Sequence, residues 1–177
     1  MQYIIDQFKA LTAIPSPSGF TRAATEYTAS EFLKLGFNPE ITNKGCIVVD
    51  LGGDGNPLVL SAHIDTLGAM VAEVKANGRL RVVRIGGLVA GSVEAENCIV
   101  IPRFSEKRFV GTCQVVNASG HVNTKLADVK RDFDTLEIVL DEAVRSREDV
   151  LALGIGVGDY VCFDPRTTVT ESGYIKS

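Results

Sequence analysis

With 177 residues, 45% of them hydrophobic, and a mean hydropathy of +0.15, the chain carries enough apolar material for a sizeable core. Length alone argues for about one domain without excluding two small ones. A formal net charge of -4 and a pI near 5.2 argue against nucleic acid or an anionic membrane as partner. Met1 opens directly into a helix-like segment with no basic leader, and no apolar run approaches the ~18 residues of a membrane span, so the reading is a soluble cytoplasmic protein.

In chain order, Ile4, Ile5, Phe8 and Leu11 recur at helical spacing and predict a short amphipathic helix that stops before the proline-containing stretch Ile14 to Gly19. A second helix follows, with Thr21 as N-cap, Ala24, Tyr27, Phe32 and Leu35 on its inner face, and Gly36 in the left-handed position past its end. Both helices are expected to pack on a core. Cys46 to Leu51 reads as a strand and Gly52 to Asn56 as a tight turn. Leu58 to Leu60 reads as a buried strand running through Ser61 and Ala62 to His63. Helices followed by strands suggest a layered α/β domain.

From about Ala69 to Phe163 the pattern changes to short strand-like runs separated by turn signals, the signature of an all-β domain. The strongest local signal is Asn77-Gly78, lying between Ala69–Val74 and Leu80–Ile85, where a type I′ hairpin is expected. Asn97 to Ile101, Phe109 to Val116, Leu136 to Leu140 and Tyr160 to Phe163 supply further strands. Arg79, Arg81 and Arg84 read as a solvated or subunit-facing strand edge, since Glu73, Glu94 and Glu96 dilute them and no aromatic residues interleave. Asn117 to Asp134, which contains His121, is expected to be a long exposed connection. Ser146 and Asp149 form a capping box for a short helix through Leu153. Cys46, Cys98, Cys113 and Cys162 form no C-x-x-C pair and are read as buried free thiols. After Asp164, Thr168 to Thr170 and Tyr174 to Ile175 flank the Ser172-Gly173 turn and look like a return to the first domain.

The stretch with chemistry in it is Ala62-His63-Ile64-Asp65. Side chains alternate along extended backbone, so His63 and Asp65 can project to one side. A neutral His63 can then give one ring nitrogen to a metal while Asp65 holds the other ring N–H. One imidazole cannot hold a catalytic metal, because a zinc site needs about three or four protein ligands. On spacing alone, a half-buried histidine with an aspartate capping the next turn is the commoner arrangement.

Ile14-Pro15-Ser16-Pro17-Ser18-Gly19, Ala62-His63-Ile64-Asp65 with Leu67-Gly68, Gly78-Arg79-Leu80 leading to Ile85-Gly86-Gly87, Ser146-Arg147-Glu148-Asp149, and Leu153-Gly154-Ile155-Gly156-Val157-Gly158-Asp159 together resemble the glutamyl and tetrahedral aminopeptidase family of two-metal peptidases, over nearly the whole chain. The resemblance implies a layered α/β zinc-peptidase domain interrupted by a small, barrel-like all-β domain. That division makes residues 1–68 the first part of the peptidase domain, 69–163 the inserted oligomerisation domain and 164–177 the return. It also implies two divalent metal ions, zinc or cobalt, a peptide substrate that loses its N-terminal residue, and a homo-oligomer formed through the β domain. Carried over by position, His63 is a metal ligand and Asp65 the catalytic-site carboxylate that supports it.

The sequence departs from the family at Thr66, where a glutamate usually stands. Gly173 to Ser177 resembles the segment just before the family's paired aspartates. The bridging aspartate, the general-base glutamate and the remaining ligands are therefore expected beyond Ser177, and the 177 residues are expected to be inactive by themselves. The competing reading from the same absence is a non-catalytic assembly or binding module. A glycosidase would need a flanking carboxylate pair, and none can be placed.

Overall fold

The computed structural model describes residues 1–177, in which helix and sheet are mixed and the sheet closes into a barrel. Two compact units are present, Met1–Thr66 with Pro165–Ser177, and Leu67–Asp164.

In the second unit, six antiparallel strands form the closed barrel: β3 (Gly68–Val74), β4 (Leu80–Ile85), β5 (Asn97–Ile101), β6 (Phe109–Val115), β7 (Leu136–Leu140) and β8 (Tyr160–Phe163), in the order β3-β4-β7-β6-β5-β8. Period-two alternation sends Leu80 and Val82, Phe109, Cys113 and Val115, and Leu136, Ile138 and Leu140 inward. Each of the larger aliphatic side chains contributes about 1.5–3 kcal/mol by leaving water. In β3 the alternation is broken by a register shift between Val71 and Glu73, so that Val74 is buried in the core in place of Glu73. Gly111 is required by a close approach, since a Cβ there would stand 2.6 Å from the Val139 carbonyl oxygen on the paired strand.

The hairpin at Asn77-Gly78 forms, but not as type I′. Gly78 has φ +79° and Asn77 keeps a negative φ, while the Gly78 N–H donates to the Lys75 carbonyl at 3.0 Å. This is a type I turn closed by one left-handed residue, and Asn77 uses its side-chain oxygen to accept the Arg79 N–H at 3.2 Å. Helix α3 (Arg147–Ala152) carries the expected capping box, with Ser146 and Asp149 each accepting from the other's backbone N–H. Asp159, 3% exposed, accepts the Gly156 N–H at 2.7 Å and the Arg103 N–H at 3.0 Å, which shapes the glycine-rich approach to β8.

A second expectation for this unit needs correction. The connection at 117–134 is not a simple exposed loop. Leu126, Val129 and Phe133 pack against the barrel core, and Arg131 ties the segment down through Glu94 at 2.9 Å and the Leu126 and Val129 carbonyls. Arg79 and Arg81 carry acidic partners, as the glutamates around them suggest, although Glu137 is not among those singled out in the sequence. Arg81 pairs with Glu73 at 3.0 Å, and Arg79 pairs with Glu137, a carboxylate that is 1% exposed.

The first unit contains α1 (Gln2–Thr12), α2 (Arg22–Lys34), the hairpin β1 (Glu40–Ile41) with β2 (Ile47–Val48), and the hairpin β9 (Thr168–Val169) with β10 (Ile175–Lys176). Tyr27 donates to Gln7 Oε1 at 2.7 Å, and Gln7 in turn donates to Glu31 at 2.8 Å, linking the helices. Gly36 ends α2 at φ +88°, as its position predicts, but Thr21 makes no side-chain cap. No residue of α1 is buried, contrary to the core-packing role read from its apolar spacing. Cys46 is exposed, whereas Cys98, Cys113 and Cys162 are buried in the barrel unit as free thiols.

Leu58, Val59 and Leu60 do not form a buried strand. They have no regular secondary structure, pair with no strand, and are 84%, 84% and 79% exposed. An apolar run becomes a sheet strand only if neighbouring strands accept its backbone groups and cover its faces, and this unit has only its two short hairpins. No helix of the chain is long and apolar enough to cross a membrane.

Candidate metal centre

The 14–19 stretch and the 61–66 stretch are held side by side. Pro17 and Thr66 form a parallel bridge, and the Thr66 N–H donates to the Ser16 carbonyl at 2.8 Å. Ser16, 1% exposed, closes the same seam by donating its hydroxyl to the Ile64 carbonyl at 3.0 Å. Two prolines restrict the stretch, and the Phe20 N–H donates to the Pro17 carbonyl at 2.7 Å, with Gly19 at φ +89° completing the turn.

This seam places Ser18 against Asp65. The Ser18 hydroxyl donates to Asp65 Oδ2 at 2.5 Å, and Asp65 Oδ1 lies 3.1 Å from His63 Nδ1. His63 Nδ1 also lies 3.0 Å from the Asp65 carbonyl oxygen. A carbonyl and a carboxylate are both acceptors, so Nδ1 must carry the proton, and the neutral imidazole keeps its lone pair on Nε2. The His63 side chain is 85% exposed, which leaves Nε2 open to an incoming ion. The Ser18 hydrogen bond is the main reason the Asp65 carboxyl is held below its usual range, with the charge of His63 adding to it.

The structure therefore brings His63 and Asp65 together, with one ring nitrogen of the histidine facing Asp65 and the side chain exposed. The donors fit one corner of a metal site but not a complete one: nowhere do three or more His, Cys, Asp or Glu side chains gather around a possible ion position. His121 lies exposed in the 117–134 connection of the barrel unit and joins no such group. Ser16 and Ser18 went unassigned in the sequence because nothing local to a proline-serine loop says which distant segment it will bridge to. Their only signal was membership in the Ile14 to Gly19 stretch.

The family model described as M42 glutamyl aminopeptidase matches residues 45–177. The chain belongs to the M42 glutamyl aminopeptidase family. It is 41% identical over 175 residues to the proposed aminopeptidase YhfE of Bacillus subtilis (strain 168), covering 98% of this chain and 50% of that protein. It is 27% identical over 177 residues to the glutamyl aminopeptidase of Lactococcus lactis subsp. cremoris, covering 96% of this chain and 48% of the relative. Among solved structures, the fold matches the TET1 peptidase of Pyrococcus horikoshii, described as assembling into a tetrahedron or a large octahedral shell, with a TM-score of 0.78 and 21% identity over 97% of this chain and 49% of that one. The chain thus spans about half the length of the M42 relatives it matches.

Proposed function

We propose that this M42 chain supplies the N-terminal part of a metal-dependent aminopeptidase that removes N-terminal residues from peptides. The observation that carries the reading is the orientation of His63, whose Nδ1 is occupied by Asp65 and whose Nε2 is left exposed, the arrangement of a metal ligand backed by a carboxylate. In this reading His63 is one ligand to one of two divalent ions, zinc or cobalt, and Asp65 fixes its tautomer and ring plane. The other ligands and the general base come from polypeptide outside these residues. No step of hydrolysis falls to the present chain beyond holding and orienting that one ligand. Residues 1–68 and 164–177 belong to the peptidase domain, 69–163 form a domain inserted into it, and the β domain mediates self-assembly. Membership of the M42 family and the names of its relatives support the activity.

A second reading has its own observation. Because no group of three metal-binding side chains is present, the chain by itself is also suited to act as a non-catalytic assembly module. To separate the two, residues 1–177 are assayed alone and fused to the C-terminal half of YhfE, with zinc or cobalt, for bound metal and for hydrolysis of aminoacyl chromogenic substrates. Chelator-sensitive hydrolysis by the fusion and none by the chain alone is the expected result. A folded fusion that binds no metal would overturn the peptidase reading, and a stable oligomer of residues 1–177 without bound metal would favour the module.

A further inference from the structure

The hydrogen-bonded series Ser18–Asp65–His63 points to Ser18 as a positioning residue for this half-site, a role that deepens the reading of His63 as a ligand and rests on it. A carboxylate on a short side chain can rotate about its terminal torsion, and its two oxygens then exchange partners. Here the Ser18 hydroxyl takes Oδ2 at 2.5 Å, which turns Oδ1 toward His63 Nδ1 at 3.1 Å. The backbone around Ser18 is anchored, because the neighbouring Ser16 and Pro17 are buried and stitched to Ile64 and Thr66 on either side of Asp65. The backbone carbonyl of Asp65 also faces Nδ1, at 3.0 Å, but it is fixed by the chain and cannot adjust to the ring. Ser18 thus holds the carboxylate against the imidazole, where Oδ1 joins the Asp65 carbonyl as a second acceptor that favours the proton on Nδ1 and the lone pair on Nε2. The Pro-Ser-Pro-Ser-Gly stretch thereby adds to the bias of the histidine toward the Nδ1–H tautomer.

The test uses nitrogen NMR of the 177-residue chain labelled with 15N-histidine, in a His121→Gln background so that His63 gives the only imidazole signals. The pH is held near ~8.5, about two units above the ordinary imidazole pKa, so that the ring is neutral. Wild type and Ser18→Thr should show mainly the Nδ1–H tautomer. Ser18→Ala should lower the ratio of Nδ1–H to Nε2–H severalfold while the backbone amide spectrum stays in place. In an Asp65→Asn background, Ser18→Ala should have no further effect. An unchanged ratio in Ser18→Ala overturns the role of Ser18. A wild-type ring that is mainly Nε2–H overturns the assignment of Asp65 as its support, which is a failure of the ligand reading itself. If Ser18→Ala does not fold, Ser18→Cys, which keeps the volume but is a weak donor, takes its place against Ser18→Thr.

Discussion

Lys75 Nζ stands 2.9 Å from Glu137 Oε2, and this lysine shares the buried carboxylate with Arg79. Glu137 is the buried member of the set: its side chain is 2% exposed, against 24% for Lys75 and 35% for Arg79. The two sides of the interaction are therefore unequal. Replacing both cations, Lys75→Ala with Arg79→Ala, strands an uncompensated charge in the barrel wall and should destabilise the barrel by about 3–5 kcal/mol. Glu137→Leu leaves two cations that can swing into water, and it should cost clearly less. Denaturant unfolding of the variants checks the order, and an equal or reversed order would remove Glu137 as the costly member.

Helix α3 depends on a pair of residues at its start. Ser146→Ala should cost about 1 kcal/mol through loss of the cap. Asp149 is held below the usual aspartate range, chiefly by the Arg145 N–H and next by Ser146. Its stabilising contribution is fully present above the ordinary aspartate pKa of about 3.9 and is lost as pH falls through the lower folded value. Ser146→Ala and Asp149→Asn should therefore flatten the acid limb of a stability-against-pH curve measured by circular dichroism. A limb identical to wild type in both variants would show that the box is not coupled to proton binding.

Thiol reactivity should separate the cysteines sharply. Burial pushes Cys113 and Cys162 up to about 12 and Cys98 higher still, while Cys46 is exposed. The reactive species is the thiolate. One of the four thiols should titrate with a colorimetric disulfide reagent in the native chain, and all four after unfolding in guanidinium. A Cys46→Ser variant should show no fast native phase.

The exposed run Leu58-Val59-Leu60 should make residues 1–177 self-associate with rising concentration, since an unpaired apolar edge is a template for pairing. Val59→Lys should lower that association in sedimentation velocity and leave thermal unfolding of the barrel unchanged. No change in the sedimentation profile would mean that this run does not drive association.

At the half-site, His63→Ala should remove about one metal equivalent from the active assembly. Asp65→Asn should lower metal affinity or activity by roughly ten- to a hundredfold, the usual effect of losing a carboxylate behind a metal-bound histidine. Metal content by mass spectrometry and a zinc competition titration read both effects, and wild-type values in both variants would refute the two assignments.

Much of the secondary structure was legible because alternation, turn residues and capping are local. Leu80 with Val82, the Ser146–Asp149 box and Gly36 all act within a few residues of themselves. What was not legible depended on partners. The bulge that trades Glu73 for Val74 is set by the pairing with β4, and the hairpin type follows from Asn77 using its side chain where a type I′ turn would have needed a left-handed backbone. Leu58 to Leu60 carried a strand's composition, but composition cannot supply the neighbours that make a strand. The same division holds at the site. His63 and Asp65 are two residues apart and could be seen as a pair, whereas Ser18 meets Asp65 only because Pro17 and Thr66 bridge.

The antiparallel pairing of Ala69 with Val161 and of Met70 with Tyr160 brings the first strand of the barrel beside the last. The polypeptide therefore leaves the barrel next to where it came in. Entry and exit stand as near each other as the two ends of a tight hairpin, however much chain runs between them. Longer or shorter loops within the barrel would leave that entry and exit side by side, because the β3–β8 pairing alone holds them there.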